Sequence, residues 1–437
     1  MSGPPVWRNW GGTESVTPQR VAAPRDAQEV AALIVEAREL GTTVKPVGSG
    51  HSFSAVAVAP GVQVDMSAMR GLVAVDAAAG QVALRAGTTL HQIPELLAPH
   101  GLAMPNLGDV DAQTISGATA TGTHGTGLGF GGLSTQIVGL KLVTGTGELL
   151  TVGPERSRLL AATALGLGAL GVVTEITLQC VPAFSLRAQE RPERVDEVIE
   201  SFLHNVETHD HYEFFWFPHT GHALTKSNTR VPVETPRSGP GSLRRYIDDE
   251  LISNQLFRGT CALGARFPAV VPKLNSLAGN VLSPRTYTDS STKVFVSSRT
   301  VRFREMEYAV PLERVPAALG EIRRLIEKQR YRISFPIEVR AAAADDLMLS
   351  TAAGRTSGYI AVHRYHGDAQ DSYFDEVEQI MVAHGGRPHW GKMHTRDRAY
   401  LRSVYPRFDE FLAVRRELDP DGVFENPYLA SVLGRGD

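Results

Sequence analysis

Val47-Gly48-Ser49-Gly50-His51-Ser52-Phe53 follows directly on the β-like run Thr43-Val44-Lys45-Pro46-Val47. Glycine lets backbone N–H groups come close to a phosphate, and serine adds hydroxyl donors. A histidine at the mouth of such a loop can reach whatever the phosphate carries. The stretch is not the spaced dinucleotide fingerprint, because Phe53 stands where the third glycine belongs. That argues against a nicotinamide-binding Rossmann domain. It also lacks the Gly-Lys-Ser/Thr ending of a P-loop, so nucleoside triphosphate hydrolysis is not expected.

Outward from this loop, a second glycine-rich run lies at Thr114-Ile115-Ser116-Gly117-Ala118-Thr119-Ala120-Thr121-Gly122-Thr123-His124-Gly125-Thr126-Gly127. It makes a poor core, since it buries little apolar surface and carries many polar groups that need partners. It makes a good wrap for a pyrophosphate and a polyhydroxyl chain. Far downstream, Glu338-Val339-Arg340 and His389-Trp390-Gly391-Lys392 supply charges of both signs. Glu338 and Arg340 alternate along a strand and face the same way. Together these features point to a phosphate-bearing cofactor beneath a polar substrate pocket.

The chain has 437 residues, which favours two domains over one core. Net charge is −3 and charged content 21%, so composition offers no sign of nucleic acid as a partner. Two cysteines, Cys180 and Cys261, cannot form a disulfide framework and fit a reducing compartment. The N-terminus has no apolar signal core, and no apolar run is long enough to span a bilayer. A cytoplasmic protein is expected, with peripheral membrane contact left open and no oligomeric state implied.

Asp26 and Glu29 have capping-box spacing ahead of the helical pattern Val30, Leu33, Ile34, Ala37, Leu40, and Gly41 suits its stop. Gly61 to Asp65 and Gly80 to Gly87 alternate as strands. Leu90 to His100 is expected as a helix with Pro94 in its first turn. Ile137 to Val152 forms a hairpin turning at Gly145-Thr146-Gly147, and Val172 to Leu178 is a strand. Composition shifts near Val181-Pro182. Beyond it, Tyr212 to Phe217 is a strand with one face walling the pocket, and the proline-rich Arg230 to Pro240 is a surface loop. Helices are expected over Pro311–Gln329, Val339–Ser350, Phe374–Ala383 and Ala399–Leu418, with a strand over Tyr359–Tyr365. The fold class is α+β: a cofactor domain over 1–180, a cap domain over 181–395 with a mixed or antiparallel sheet and helices, and a helical segment over 396–437 returning to the first domain.

Five blocks carry a resemblance: Gly48 to Phe53, Ala120 to Gly125, Leu167-Gly168-Ala169-Leu170-Gly171-Val172-Val173-Thr174, Phe335-Pro336-Ile337-Glu338-Val339-Arg340, and Pro388 to Lys392. In this order they resemble the sugar-lactone and alditol oxidoreductases of the vanillyl-alcohol-oxidase flavoprotein superfamily, over nearly the whole chain. Among these the actinobacterial L-gulono-1,4-lactone and D-arabinono-1,4-lactone oxidoreductases are most similar. The resemblance implies that fold, with a PCMH-type domain binding FAD. Pro46, Val47, Gly48, Ser49, Gly50, His51 and Ser52 would hold the pyrophosphate, and His51 would carry the flavin covalently. Further FAD contacts would fall on Thr114, Gly117, Thr121, Gly122, Thr123, His124 and Val173.

The same resemblance places substrate chemistry on Glu338, Arg340 and Lys392. Arg340 offers a planar fork to vicinal hydroxyls, and Glu338 accepts from one. Lys392, partly desolvated beside a second cation, is expected to have a lowered pKa and to take the hydroxyl proton. Alditol oxidases carry serine where this chain has Asp109 and threonine where it has His363. Both positions would line the pocket, and the change favours a lactone over a flexible alditol. Gly108 would leave room for oxygen over the flavin, which favours an oxidase over a dehydrogenase. The implied reaction is oxidation at C2 of an aldono-1,4-lactone, giving a 2-keto lactone that can enolise to an ascorbate-type enediol. The electrons then pass to O2, forming peroxide, or to another acceptor. An alditol oxidase and a flavin-binding protein without turnover are the alternatives. The histidines His204, His209, His211, His219 and His222 lack carboxylates or cysteines at ligand spacing, so no metal is expected.

Overall fold

Asp26 opens the first helix as its spacing predicts: its carboxylate accepts the Glu29 N–H (2.9 Å) at the start of Ala27–Glu39. Glu29 turns back to the N–H of Arg25 instead of Asp26, one residue outside the usual box. The stripe Val30, Ile34 and Ala37 is buried over a three-stranded parallel sheet. Its strand order is Arg20–Ala22, Val62–Asp65, Val44–Val47. The structure is a computed structural model and describes residues 4–239, 255–281, 283–297 and 301–435.

A five-stranded antiparallel sheet stands beside it, in the order Leu149–Val152, Ile137–Val143, Val172–Gln179, Gln81–Arg85, Leu72–Asp76. Its hairpin turns at Gly145-Thr146-Gly147, where Gly147 takes φ 83°. Val172–Gln179 alternates between buried and half-buried residues, as a strand with one core face does. The helix expected over Leu90–His100 is Ile93–Leu97 with a 3-10 turn, Ala98–His100, and Pro94 lies in its first turn.

Apart from two short two-stranded pairs, Trp7–Arg8 with Ser15–Val16 and Leu102–Ala103 with Val181–Pro182, the other described strands form one eight-stranded antiparallel sheet: Arg285–Ser290, Phe184–Arg194, His222–Pro232, His211–Trp216, Ile337–Ala342, Ser357–Tyr365, Phe303–Pro311, Arg387–Pro388. Helices Val195–Thr208, Val315–Gln329 and Tyr373–Ala383 cover one face over a core that includes Tyr212, Phe214, Val339, Ile360 and Tyr308. Alternation sends Glu213, Glu338, Arg340, Ala361, His363, Glu305 and Glu307 to the other face. Tyr212, Phe214 and Trp216 of the aromatic run thus fill the core, while Glu213 and Phe215 alternate to the other face.

Two expectations are corrected. No helix forms over Val339–Ser350: Ile337–Ala342 is a fully buried central strand paired on both sides. Ladder pairing there outweighs alanine's helix preference. The expected loop from Arg230 begins as strand, since His222–Pro232 pairs with Phe184–Arg194 to its end; Pro240 lies outside the described residues. Near the C-terminus, helices Arg398–Val404 and Phe408–Leu418 are separated at Pro406. The chain then returns to the first region. Val44 N–H donates to Val423 O and Gly145 N–H to Leu418 O, each at 2.8 Å. The Asn426 amide donates to the carbonyls of Ala55, Val56 and Val58.

Candidate active site

The two glycine-rich runs face each other across a groove. A Cβ on Gly48 would lie 2.2 Å from Thr114 Oγ1, so only glycine lets the loop press against that residue. Thr114 in turn caps helix Ile115–Ala120, its Oγ1 accepting the Gly117 N–H (3.2 Å). Gly50 sits at φ 68°, a left-handed turn that side chains resist. The groove is lined by Pro46, Gly48 to Ser52, Gly117, Thr121 and Val173, joined by Lys45 and the backbone of Gly166 to Gly168. Such a trough of small residues and hydroxyls fits an extended dinucleotide, and its donor set suits the pyrophosphate of FAD.

His51 stands at the groove's mouth. Its Nδ1 lies 3.1 Å from Ser49 Oγ, and its ring stacks on Trp10 with centroids 5.8 Å apart. Burial, aided by the nearby Lys392 charge, pulls its pKa below the ordinary histidine value, so the ring is neutral near pH 7. His51, Ser52, Gln113 and Thr121 also line a second cleft that continues from the first.

That cleft is walled by Trp10, Phe53 and Phe303 and floored by the charged face of the large sheet. Its organising group is Arg340. The guanidinium Nε donates to Glu213 Oε2 at 2.9 Å, Nη2 pairs with Glu338, and Asp109 Oδ1 lies 3.6 Å away. Lys226 Nζ braces Glu213 from behind at 3.5 Å. Burial would lower the Arg340 pKa, but Glu338, Asp109, Glu213 and Glu307 hold it well above the ordinary arginine value. A second pairing joins Lys392 to Glu305, whose other oxygen lies 3.6 Å from His363 Nε2. A third joins His124 Nε2 to Glu307 at 3.3 Å. Burial pushes the Glu307 carboxyl up, but His124, helped by His389 and Lys392, outweighs it and brings the pKa to about 2.

Asp109, Arg340 and Lys392 therefore line the cleft together, while Glu338 and His363 stand one layer back. His363 is corrected as a pocket wall: its Nδ1 donates to Pro336 O (3.0 Å) and its ring packs on Phe303 and Phe335. The Lys392 expectation is corrected too. Burial would lower its pKa, but Glu305 and Glu307 outweigh burial and raise it, so it stays an ammonium. The room beside Gly108 is largely taken, since a Cβ there would lie 3.0 Å from His124 O.

Glu213, Glu305 and Glu307 were not singled out from the sequence. The signal was present in Phe303-Arg304-Glu305-Met306-Glu307-Tyr308, where two carboxylates alternate with apolar residues as Glu338 and Arg340 do. Glu213 is the lone acid in an aromatic strand. Of the histidines weighed as ligands, His211 Nδ1 bonds Thr126 O (2.8 Å) and His219 Nε2 accepts the Ile333 N–H (3.2 Å). Among the described residues, His124, Glu307 and His389 bring ligand-type atoms within 4.8 Å of one another. Nδ1 of His389, however, accepts the Gly391 N–H (3.0 Å), which puts its proton on Nε2 and leaves no lone pair for an ion. Burial keeps that ring neutral, with a pKa of about 4.

Comparison with known proteins agrees with this geometry. Residues 176–432 match the D-arabinono-1,4-lactone oxidase family, and residues 18–153 match an FAD binding domain. The chain is 44% identical to the L-gulono-1,4-lactone dehydrogenase of Mycobacterium tuberculosis, over 98% of this chain and 99% of that one. It is 32% identical to the L-gulonolactone oxidase of Bos taurus, over 98% of each. Cholesterol oxidase from B. sterolicum shares the fold, with a TM-score of 0.82 at 20% identity over 98% of this chain and 96% of that one. Matched along nearly its whole length, the chain belongs to the D-arabinono-1,4-lactone oxidase family, with an FAD-binding domain ahead of its large antiparallel sheet.

Proposed function

We propose that the protein oxidises the C2 hydroxyl of an aldono-1,4-lactone, of the L-gulono or D-arabinono class, to a ketone, with FAD held covalently through His51. The observation that carries this reading is the junction of groove and cleft at His51 and Thr121, with Arg340 and Lys392 lining the cleft side. Bound in the groove, FAD supplies the two-electron acceptor for the C–H bond. Arg340 and Lys392, two lasting cations, hold the carbinol oxygen and stabilise negative charge developing on it. Because Lys392 stays protonated, the hydroxyl proton goes to a carboxylate. Asp109 is placed for it: its side chain is 18% exposed, the most open of the carboxylates paired to Arg340.

The charge arrangement also supports a neutral ring over an open-chain acid. The permanent carboxylate of an open-chain acid would be repelled by Glu213, Glu338 and Asp109 around Arg340, a repulsion that a neutral ring avoids. Glu338, Glu213 and His363 act as positioning residues, the first two on Arg340 and the third on Glu305.

Anaerobic mixing with L-gulono-1,4-lactone, D-arabinono-1,4-lactone and xylitol tests the reading. A lactone should bleach the flavin and xylitol should not; bleaching by xylitol alone would make the protein an alditol oxidase. No bleaching by any of them, or a colourless protein that takes up no FAD, would overturn it. Repeating the productive reaction in air with peroxide detection decides whether O2 is the acceptor. Denaturing gels should show a fluorescent band that Ala at His51 abolishes.

No helix among the described residues is long and apolar enough to cross a membrane. We place the protein in the cytoplasm, which its two buried free thiols support. Peripheral contact has one candidate surface. Helices Gln255–Arg266 and Val271–Val281 and the turn between them expose Leu263, Phe267 and Leu277 beside Arg266 and Lys273, with no acidic residue between 255 and 281. Sedimentation with anionic vesicles, compared with neutral ones, tests it.

A further inference from the structure

Among the described residues Lys45 is the one buried lysine or arginine lining the cofactor groove, and the proposed reaction does not use it. It lies on strand Val44–Val47, directly before the glycine loop, and is 3% exposed. Its Nζ donates to two backbone carbonyls, Leu167 O at 3.1 Å and Gly168 O at 3.0 Å. Those residues sit at φ 54° and 58°, two successive left-handed positions, the first of them not glycine. The loop is thus bent so that both carbonyls converge on the ammonium. Among the described residues no carboxylate lies within ion-pair distance of it. The charged groups that act on it come from the C-terminal segment packed behind the groove: Arg415, which opposes its charge, and Asp419, which favours it. Asp419 is engaged elsewhere, accepting the Val423 and Phe424 N–H groups at 2.8 and 3.0 Å.

A buried ammonium with only neutral acceptors is costly. The same side chain lines the groove together with Gly48 to Ser52 and Gly117. An anion arriving there would supply the missing counter-charge, and the groove's expected occupant carries a diphosphate.

We propose that Lys45 is a positioning residue for the cofactor, the counter-charge that the Leu167–Gly168 carbonyls hold ready for the diphosphate of FAD. This rests on the FAD reading. Without the anion, burial and Arg415 outweigh Asp419 and bring the Lys45 pKa down to about 7. The diphosphate favours the charged form, so above pH 7 binding draws in a proton and cofactor affinity falls as pH rises, by up to about tenfold per pH unit. The sign for the empty protein is opposite. Between pH 7 and the ordinary lysine value the unfolded chain holds a proton that the folded one lacks, so stability from this group rises with pH.

The test uses the full chain with His51→Ala, which cannot retain cofactor covalently and can be stripped. FAD and ADP binding are measured by calorimetry from pH 6 to 9. The parent should bind both, take up close to one proton per ADP at pH 8, and weaken as pH rises. Adding Lys45→Met should weaken both ligands by roughly 10- to 100-fold at pH 6.5 and flatten the pH profile. Lys45→Arg should regain affinity with a flat profile, because its charge does not titrate. Unchanged ADP affinity in Lys45→Met, a pH slope that survives the substitution, or no proton uptake by the parent overturns the proposal. A parent that binds neither FAD nor ADP overturns the flavin reading, and this one with it.

Discussion

The groove and the cleft meet at His51, yet they recognise by different means. Among residues lining the groove only Lys45 and His51 ionise; the rest offer backbone, hydroxyls and apolar atoms. The cleft is lined by Asp109, Asp111, Glu305, Glu307, Arg340 and Lys392, drawn from separate parts of the chain. The difference follows from the task. A diphosphate already carries its charge, so convergent N–H groups on a glycine loop and a single cation, Lys45, are enough charge to meet it. A neutral sugar ring gains charge only as it reacts, so the cleft must keep fixed charges in place before the event. Such charges are stable only as closed networks, which is why each cation there has a carboxylate partner.

That contrast breaks most sharply at Arg340. Arg340→Met leaves Glu213, Glu338 and Asp109 facing one another without their shared cation. Unfolding stability at pH 8 should fall by about 3–5 kcal/mol, and flavin reduction by a lactone should be lost. The sign of its pH dependence is fixed. Without the guanidinium these carboxyls have folded-state pKa values above their unfolded ones, so the folded state takes up protons as pH falls. The deficit should shrink between pH 8 and pH 5, followed by urea unfolding. A deficit that grows towards acid would mean the network is not what the substitution breaks.

Lys392→Met is the next largest. One carboxylate, Glu305, loses its cation but keeps the His363 edge. Flavin reduction should slow by roughly 10²- to 10³-fold, with FAD content unchanged. Equal reduction rates in variant and parent would remove Lys392 from the chemistry.

These two residues also show what was legible in the sequence. Gly48, Gly50 and Gly117 are legible because groove residues are contiguous and their composition is odd for a core; His124, expected in the groove from the same run, lines the cleft instead. Arg340 and Glu338 were found because one strand carries both. The environment of Lys392 was not, because Glu305 and Glu307 arrive from a strand some ninety residues earlier and only the sheet register sets them beside it. A lowered pKa follows from burial alone; a raised one requires knowing the neighbour. His363 misled for the same reason, since its outward strand position says nothing of Glu305 standing in front of it. The helix expected after Val339 failed because pairing on both edges of a central strand is a non-local fact.

Glu305→Gln sharpens the point about neighbours. The carboxylate that counts most in keeping Lys392 protonated is removed while the shape is kept. Burial then acts less opposed, and the Lys392 pKa falls. Activity that needs the ammonium should fall off at a lower pH than in the parent, with a smaller change, about tenfold, at neutral pH. An alkaline limb at the parent's position would show that Lys392 does not set it.

The smallest effect is expected on the cleft wall, at Gly108. If its missing side chain keeps a path open for oxygen, Gly108→Ala should slow reoxidation by oxygen tenfold or more while leaving reduction alone. The geometry favours a different outcome. The added Cβ would lie 3.0 Å from His124 O and 3.5 Å from Thr123 Cγ2, so it presses on backbone that also aims His124 at Glu307. A shift of a few tenths of an ångström there disturbs both half-reactions alike. Stopped-flow reduction and reoxidation should each fall less than about threefold, with a stability change within about 1 kcal/mol. Selective loss of the oxygen step would restore Gly108 as a gate; a matched, modest loss leaves it as a glycine set by the close approach of two segments of the same chain.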